Sequence, residues 1–189
     1  IYAHHGFTEF VICLGYKSHY VKEWFSDYFL HNSDFTLNLT DNTITYHKTA
    51  DEKWTITFVD TGHSTMTGGR LQRVKEYIGD ETFMMTYGDG VANINVKELV
   101  DFHKKHKKYA TITSVYPEGR FGTIFIDTDS SVTAFSEKTD NKNRVNGGFF
   151  VLEPEVFDYL DGDETIFEKG PLEKLAKEGQ LKAFHHDGF

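Results

Sequence analysis

The chain has 189 residues, of which 39% are hydrophobic, and its 20 lysines and arginines against 29 aspartates and glutamates give a formal net charge of −9. This length suits one large domain with a buried core, and the apolar content disfavours a disordered chain. The acidic balance disfavours an extended nucleic-acid surface, and no apolar run approaches the roughly 18 residues of a membrane span. The chain has a single cysteine, Cys13, which excludes a disulfide framework and is consistent with a reducing, cytoplasmic compartment. Because Cys13 stands in an apolar run, it is predicted to be buried.

The two ends of the sequence look like interrupted elements. Residues 1–6 resemble the end of a helix that stops at a glycine, and the last residues directly follow an apparent strand. The first residue is isoleucine, not methionine. We therefore expect an internal fragment of a longer protein, with both flanking parts missing.

Hydrophobic periodicity predicts alternating strands and helices along the chain. Residues 7–14 predict a strand and residues 18–28 a helix, and the alternation within residues 35–48 predicts a hairpin about an Asp-Asn turn. The later elements are predicted, in chain order, as a strand at 54–62, a helix at 68–79, a strand at 82–87, a helix at 95–108, a strand at 109–116, paired strands at 122–127 and 131–138, a strand at 145–154, helices near 154–160 and 171–178, and a strand at 181–186.

This alternation of strands and helices predicts an α/β fold. The sheet is expected to be mixed but mostly parallel and flanked by helices, in one domain over residues 1–189. The pattern of apolar and polar residues changes in the segment 31–59, which is interpreted as a possible small β insertion. Such an insertion would cover a pocket or contact a neighbouring subunit.

The first candidate site is the stretch TYGDG, where Asp89 stands between two glycines after a predicted strand. Ligands of open α/β sheets bind at the carboxyl ends of strands, and glycines let a ligand approach the backbone closely. A carboxylate in that position can hold Mg²⁺, a hard cation that prefers oxygen ligands. The alternative is a plain turn with Asp89 as a capping residue.

The second candidate is the polar, glycine-rich stretch TGHSTMTGGRL at residues 61–71, which opens a predicted helix. Backbone N–H groups at a helix start favour anions, and Arg70 adds a bidentate cation. The alternative is a flexible loop with Arg70 on a solvated face. The stretch lacks both the P-loop ending and the dinucleotide-binding glycine pattern, so ATPase and dehydrogenase functions lack support.

Further candidates lie at the ends of later predicted strands. Glu137 could accept hydrogen bonds from hydroxyl groups while Lys138 meets a phosphate, although an exposed ion pair is the alternative. Asn146 and Gly147 interrupt an apolar strand, which indicates a bulge or the close approach of another group. Gly122 likewise brings backbone within reach of a ligand.

Two other kinds of chemistry lack support. His103 and His106 stand among four lysines in HKKHKK, so this run is interpreted as a solvated helix face and not as a zinc site. Nucleophilic catalysis is unsupported because no Gly-x-Ser-x-Gly elbow occurs and the single cysteine is expected to be buried.

The order of these pieces resembles the sugar nucleotidyltransferase family over essentially the whole chain. The resemblance rests on TGHSTMTGGRLQRV, FMMTYGDGVANIN, PEGRFGTIFID, FSEKTD, VNGGFFVLEPEV and PLEKLAKEGQLKAFHHDGF together. It implies a GT-A-like nucleotide-diphospho-sugar transferase fold, a Mg²⁺-dependent reaction and a homo-oligomer. Within the family the pattern is most similar to members that make CDP-glucose and pyrophosphate from CTP and glucose 1-phosphate, a product used for dideoxysugars of surface polysaccharide (O-antigen).

The resemblance also assigns roles to positions that match the motifs of the family. Asp89 matches the metal-binding aspartate, Arg70 a cation that faces the nucleotide phosphates, and Lys138 a cation on the sugar phosphate. These three charges are therefore expected to converge on one phosphate-sized space. The usual Glu-Lys-Pro is Glu-Lys-Thr here, which loses rigidity but no charge. The matching substrate contacts are Thr67, Gly68, Gly69, Tyr87, Gly88, Gly122, Glu137, Lys138, Asn146 and Gly147.

Two parts of the family pattern are not found in residues 1–189. They are the N-terminal Gly-Gly-x-Gly-Thr-Arg loop with its downstream lysine, which hold the triphosphate, and a second metal-binding aspartate in a Met-Asp-Thr stretch. In the family, the nucleotide base is selected largely by this N-terminal loop. A transferase that uses dTTP, UTP or GTP in place of CTP therefore stays an alternative. A second alternative is an inactive or binding-only fragment or paralogue, and the chain as given is expected to be almost inactive.

Overall fold

A computed structural model describes residues 1–48, 52–116, 123–128, 130–136 and 144–188, with backbone only at 123–126 and 135–136. Two compact units are distinguished. The N-terminal unit comprises Tyr2–Gly79 with Phe157–Pro171, and the C-terminal unit comprises Asp80–Val156 with Leu172–Phe189, together with Ile1. That residues 1–189 form a single domain stays a prediction.

The strands and helices lie close to their predicted positions. A 3₁₀ helix spans Tyr2–His5, and the helix predicted near 154–160 is also a 3₁₀ helix, Pro154–Tyr159. No helix among the described residues is long and apolar enough to cross a bilayer. The other elements, in chain order, are β1 (Glu9–Leu14), α1 (Ser18–Ser26), α2 (Tyr28–Asn32), β2 (Asp34–Asn38), β3 (Thr43–Lys48), β4 (Thr55–Asp60), α3 (Thr67–Arg73), α4 (Lys75–Ile78), β5 (Phe83–Thr86), α5 (Val96–His106), β6 (Ala110–Val115), β7 (Thr123–Ile126), β8 (Val132–Ser136), β9 (Val145–Leu152), α6 (Pro171–Lys177) and β10 (Leu181–His185).

In the N-terminal unit, β1 and β4 pair in parallel, from Glu9 opposite Thr55 to Leu14 opposite Asp60. Helices α1 and α2 connect β1 to the hairpin, and α3 follows β4. The later segment 157–171 contributes to the same core. The buried apolar side chains of this unit include Leu14, Leu71, Val74, Phe157, Leu160 and Phe167.

Strands β2 and β3 form the antiparallel hairpin that the alternating sequence predicts. Asn42 takes the left-handed conformation at φ 57°, and the Asp41 carboxylate accepts hydrogen bonds from the backbone N–H and the hydroxyl of Thr43. The strand residues are all exposed. The hairpin prediction is confirmed, whereas the interpretation of 31–59 as an insertion stays a prediction.

The C-terminal unit contains a four-stranded sheet in the order β10-β6-β9-β5. Strand β10 is parallel to β6, and β9 is antiparallel to both β6 and β5. Strands β5, β6 and β10 therefore run in one direction and only β9 is reversed, which confirms a mixed, mostly parallel sheet. Their carboxyl ends lie at one edge of the sheet, together with the start of β9.

The glycines at 147–148 produce a bulge in β9. Ile112 pairs with Phe150 and Ser114 with Asn146, so one residue of β6 lies opposite three residues of β9. The second glycine has φ +77°, a conformation that side chains disfavour. The predicted bulge is thus confirmed. It lies near the start of β9, at the edge of the sheet where β5, β6 and β10 end.

The interpretation of the HKKHKK run as a solvated face is wrong for His103 and only partly right for the half-buried His106. His103 is completely buried, in the same stripe of α5 as Val96 and Leu99, whereas Lys104 and Lys105 are exposed as expected. The spacing of three and four residues continues the apolar stripe through His103. Its two ring nitrogens have hydrogen-bond partners, which is what allows a polar ring in the core.

The prediction of a buried Cys13 is also wrong, because the residue is exposed. It lies between Ile12, which is half-buried, and Leu14, which is buried. Among the described strands β1 pairs only with β4. An apolar run does not reveal whether a strand is covered on both faces or on one, and Cys13 is on the less covered face.

Candidate active site

Thr61 joins the carboxyl ends of the parallel strands β1 and β4. Its backbone N–H and its hydroxyl both donate to the carbonyl oxygen of Leu14, at 2.8 and 2.9 Å, and the residue is completely buried. Gly62 at φ +89° then turns the chain, and its N–H donates to Oδ1 of Asp60 at 3.0 Å. The loop 61–66 therefore leaves the sheet at the end where open α/β sheets bind ligands.

Arg70, in the middle of the short helix α3, holds its guanidinium against this strand end. Nη1 donates to Oγ1 of Thr61 at 2.7 Å and to the Leu14 carbonyl at 3.2 Å, and Nη2 donates to the His63 carbonyl at 3.4 Å. The side chain is half-buried, so the alternative of a solvated Arg70 is wrong. All three acceptors are neutral, and Arg70 forms no salt bridge with any described residue. A cation without a counter-charge in this position is able to bind a phosphate.

Gly15 provides the space for this guanidinium. A Cβ atom at position 15 would lie 2.7 Å from Nη1 and 2.8 Å from Nη2 of Arg70, closer than real Cβ contacts allow. Gly15 is not among the site residues predicted from the sequence. Its only signal in the sequence is a glycine directly after an apolar strand, which is too common to single out one residue.

Gly68 and Gly69 are buried because α3 approaches another part of the N-terminal unit closely. A Cβ at Gly68 would lie 2.6 Å from Cγ2 of Thr165, and one at Gly69 would lie 2.6 Å from Cα of Asp163. The N–H of Gly68 donates to the Thr165 carbonyl at 2.8 Å. The structure thus gives both glycines a packing role, and their contact with a substrate stays a prediction.

Thr67 has a structural role of the same kind. Its hydroxyl oxygen accepts a hydrogen bond from the Phe167 N–H at 2.9 Å and donates to Oε2 of Glu168 at 2.8 Å. These contacts fix the start of α3 to the segment 157–171. Contact between Thr67 and a substrate also stays a prediction.

In the C-terminal unit the structure brings Tyr87 and Asn146 together at the edge where β5 ends and β9 begins. Nδ2 of Asn146 donates to the Tyr87 hydroxyl at 3.2 Å, and Oδ1 of Asn146 accepts from the Gly148 N–H at 2.8 Å. The Tyr87 ring lies directly over Gly148, where a Cβ would be 3.0 Å from the ring. The adjacent Gly147 faces β6, so its described neighbours are strand atoms. The bulge therefore fixes the orientation of two predicted sugar contacts.

Asp89 lies in the turn that follows β5, closed by a hydrogen bond from the Gly90 N–H to the Tyr87 carbonyl at 3.2 Å. Both Gly88 and Asp89 are exposed, and a Cβ at Gly88 would have no atom within 4 Å. Among the described residues, none hydrogen-bonds to the Asp89 carboxylate, so the turn offers an open carboxylate and not a cap.

Comparisons with known proteins decide the family. The profile described as "Nucleotidyl transferase" matches residues 2–186. The chain belongs to the nucleotidyl transferase family. It is 49% identical over 191 residues to the glucose-1-phosphate cytidylyltransferase of Salmonella typhi, and the match covers 100% of this chain and 74% of that protein.

A second curated relative and a solved structure are also similar to this nucleotidyl transferase. A probable glucose-1-phosphate cytidylyltransferase of Bacillus subtilis (strain 168) is 45% identical over 190 residues, with 100% of this chain and 74% of that protein covered. The crystal structure of HddC from Yersinia pseudotuberculosis superposes with a TM-score of 0.65 at 20% identity, over 99% of this chain and 73% of that one. The structural likeness supports the fold, and the resemblance to sugar nucleotidyltransferases is confirmed.

Nucleotidyl transferases of this family commonly use a divalent metal. The described residues contain no group of three or more His, Cys, Asp or Glu residues that could hold an ion by themselves. The exposed, open carboxylate of Asp89 nevertheless fits Mg²⁺, which is commonly bound through one or two carboxylates together with substrate phosphates and water.

The residues of the predicted site fall in three parts of the chain. Gly122, Glu137 and Lys138 lie outside the described residues. Arg70 belongs to the N-terminal unit and Asp89 to the C-terminal unit. The convergence of Arg70, Asp89 and Lys138 on one phosphate therefore stays a prediction for this nucleotidyl transferase.

Proposed function

We propose that this chain is the part of a nucleotidyl transferase that joins CTP and glucose 1-phosphate to give CDP-glucose and pyrophosphate. The observation that carries the proposal is the 49% identity to a glucose-1-phosphate cytidylyltransferase over the full length of the chain. Sequence identity at this level, without large gaps in coverage, supports the same substrate class more strongly than the shared fold does.

The reaction would be an in-line displacement at phosphorus. A phosphate oxygen of glucose 1-phosphate attacks the α-phosphorus of CTP, the new P–O bond forms, and the bond to the leaving pyrophosphate breaks. No covalent enzyme intermediate is required, so the protein contributes positioning and charge stabilisation. Mg²⁺, when bound through Asp89, would neutralise charge on the phosphate oxygens.

The half-buried guanidinium of Arg70 suits the nucleotide phosphates in this scheme. It is held by neutral acceptors at a strand end and forms no salt bridge among the described residues, so its charge is available to an anion. Lys138 would hold the attacking phosphate of the sugar. Both cations favour the transition state because phosphate charge is redistributed there.

The sugar would meet Asn146 and Tyr87. Among the described residues Nδ2 of Asn146 has one acceptor, the Tyr87 hydroxyl, so its second hydrogen can be donated to a sugar hydroxyl. Glu137, Gly122 and Gly88 are proposed as further sugar contacts. We also propose a cytoplasmic homo-oligomer whose product serves surface polysaccharide synthesis, on the strength of the family resemblance.

The test is a turnover assay of the full-length protein with Mg²⁺, glucose 1-phosphate and each of CTP, dTTP, UTP and GTP. We expect pyrophosphate release to be fastest with CTP, with CDP-glucose identified by mass spectrometry. Preference for another nucleotide would support the alternative base specificity. Binding without turnover by any of the four would instead show a binding-only paralogue.

A further inference from the structure

The loop between β5 and α5, residues 87–95, crosses the carboxyl edge of the sheet in the C-terminal unit. Strands β5 and β10 are the two outer strands of that sheet, with β9 and β6 between them. Three strand spacings, roughly 14 Å, therefore separate β5 from β10. The loop nevertheless reaches the end of β10, because Nε2 of His186 donates a hydrogen bond to Oδ1 of Asn93 at 2.9 Å. Asp89 is thus in a segment that spans the edge where open α/β sheets bind ligands.

The contact of Asn93 connects the middle of this loop to the rest of the unit. Among the described residues, it is the one side-chain hydrogen bond between residues 88–93 and another element. The other hydrogen bond of this segment closes its own turn, from the Gly90 N–H to the Tyr87 carbonyl. The first buried apolar residue of the loop, Ile94, comes only after Asn93. The path of the chain around Asp89 therefore depends on the turn and on Asn93.

The partner of Asn93 is itself fixed to the sheet. The N–H of His186 donates to the Ser114 carbonyl at 3.0 Å, directly beyond the paired residues of β10 and β6, and the residue is half-buried. Gly188 lies against the contact, because a Cβ there would meet Oδ1 of Asn93 and would lie 2.9 Å from Nε2 of His186. The sheet therefore holds the donor in place, and glycine at 188 leaves room for the acceptor.

We propose that Asn93 is a positioning residue, whose hydrogen bond to His186 fixes the turn from which the Asp89 carboxylate binds Mg²⁺. The part of this inference that concerns the metal rests on the proposed function. Among the described residues, none hydrogen-bonds to the Asp89 carboxylate, so the backbone of the loop sets its position. Asn93 acts through that backbone and makes no contact with the metal in this assignment. Loss of the hydrogen bond should therefore weaken the response to Mg²⁺.

The kinetic test measures how turnover by the full-length protein depends on the Mg²⁺ concentration. Asn93→Ala removes the acceptor, and we expect the Mg²⁺ concentration for half-maximal turnover to rise about 3- to 10-fold, the factor that one hydrogen bond commonly contributes to an equilibrium. Asn93→Asp keeps an acceptor oxygen for Nε2 of His186 and should stay within about twofold of wild type. Unchanged Mg²⁺ dependence in Asn93→Ala, whether or not the turnover number falls, would show at most a structural role and would overturn the proposal.

Asn38→Ala is the matched control, because Oδ1 of Asn38 also accepts one hydrogen bond at 2.9 Å, from the Thr40 N–H in the exposed hairpin. It should leave the Mg²⁺ dependence within about twofold of wild type. His186→Ala removes the donor and should reproduce the effect of Asn93→Ala. The double variant should be no worse than the more affected single variant, because both changes remove the same hydrogen bond. Additive effects would mean that the two residues act separately, and would overturn the proposal.

A second measurement does not depend on turnover. Hydrogen exchange of the Gly90 N–H, which closes the Asp89 turn, should be about 3- to 10-fold faster in full-length Asn93→Ala than in wild type. The Gly68 N–H in α3, which donates to the Thr165 carbonyl, is the reference and should not change. Unchanged exchange at Gly90 would overturn the proposal. If the wild type does not turn over CTP and glucose 1-phosphate, the proposed function fails, and the exchange result decides by itself whether Asn93 fixes the turn.

Discussion

At the scale of single residues, the two described charged residues of the predicted site, Arg70 and Asp89, differ in how each is held within its own unit. Arg70 is half-buried and fixed by three neutral acceptors, whereas Asp89 is exposed and no described residue bonds its carboxylate. Substitution of Arg70 would thus disturb both charge and packing. Substitution of Asp89 changes charge alone, and this makes it the sharper test of catalysis.

We expect Asp89→Asn in the full-length protein to lower the turnover number on the order of 100-fold, because one charge-stabilising contact to the phosphates or their metal is lost. The unfolding temperature should not change, since no described residue depends on the carboxylate. Turnover and thermal unfolding are measured on the same preparation. Turnover within a factor of three of wild type would contradict the role assigned to Asp89.

Gly15→Ala tests the space that the guanidinium needs. The added methyl group would lie 2.7 Å from Nη1 of Arg70 and 2.8 Å from the backbone carbonyl oxygen of Gly62, so both the guanidinium and the chain at Gly62 must shift. The bonds of Arg70 to Thr61 and Leu14 would then lengthen or break. We expect a loss of about 1–3 kcal/mol in the free energy of unfolding and a higher KM for the nucleotide. Urea unfolding and steady-state kinetics measure the two effects.

Gly90→Ala is the control for that change. A Cβ at Gly90 would have no atom nearer than 3.6 Å, an ordinary contact distance. Its free energy of unfolding should remain within about 0.5 kcal/mol of wild type. If Gly15→Ala is as mild as Gly90→Ala, the close approach of Arg70 to Gly15 is not present in solution.

At the scale of elements, helix α5 is attached to the sheet by a chain of polar side chains. The Lys108 N–H donates to Nδ1 of His106 at 3.0 Å, so a neutral His106 carries its proton on Nε2 and donates to Oγ1 of Thr111 at 2.7 Å. The Thr111 hydroxyl lies 2.8 Å from Nδ1 of His103, and Nε2 of His103 lies 3.0 Å from the Glu153 carboxylate. Each group has a partner when both imidazoles are neutral.

Acid should weaken this attachment. Burial lowers the pKa of His106, and the nearby positive charges of Lys182 and Lys108 lower it further. Protonation would also place a second donor against the Lys108 N–H. Because the folded-state pKa of His106 is below the ordinary value of about 6.5, the unfolded chain binds more protons than the folded chain once the pH falls below about 6.5. The contribution of His106 to the free energy of unfolding is therefore fully present above about pH 6.5 and is lost as the pH falls from there through the folded-state pKa.

We therefore expect the free energy of unfolding to be lower at pH 5.5 than at pH 7.5, as measured by urea unfolding. His106→Gln removes the titrating group, so the difference between the two pH values should shrink in this variant. His31→Gln, at an exposed position of the N-terminal unit, is the matched control and should keep the wild-type difference. Equal pH dependence in wild type and His106→Gln would contradict the assignment.

Periodicity was sufficient to predict most elements because many strands and helices here repeat a buried or half-buried face along the chain, and the exposed hairpin of β2 and β3 alternates about a turn signal. It could not predict details that depend on what covers an element. Cys13 is in an apolar run but on a poorly covered strand face, and His103 is polar but continues the buried stripe of α5. Gly68 and Gly69 look like a phosphate loop in the sequence, yet their packing partners are residues 163–165, about 95 positions away.

At the scale of the whole molecule, the N-terminal unit is completed by a segment from much later in the chain. Phe167 is completely buried there, and the Arg73–Asp163 pair and the Gln72–Gly162 hydrogen bond attach the same segment to α3. The family match over residues 2–186 includes both units. Helix α3, which carries Arg70, is therefore supported by residues that lie about 90 positions later in the sequence.

Phe167→Ala should lower the free energy of unfolding by about 3–5 kcal/mol, because a fully buried aromatic ring is replaced by a cavity. Phe29→Ala, in the same unit but 57% exposed, is the matched control and should cost less than about 1 kcal/mol. Both values come from urea unfolding of the full-length protein. Similar costs for the two variants would mean that the segment 157–171 does not pack on the N-terminal unit in solution.

The return of residues 157–171 to the first unit has a consequence for biosynthesis. A ribosome releases β1, β4 and α3 well before it has translated Phe167, so these elements emerge with an apolar surface that nothing yet covers. The C-terminal unit is in turn interrupted by the same segment, because α6 and β10 follow it. Nascent chains should therefore stay susceptible to aggregation and to chaperone capture until translation has passed this segment.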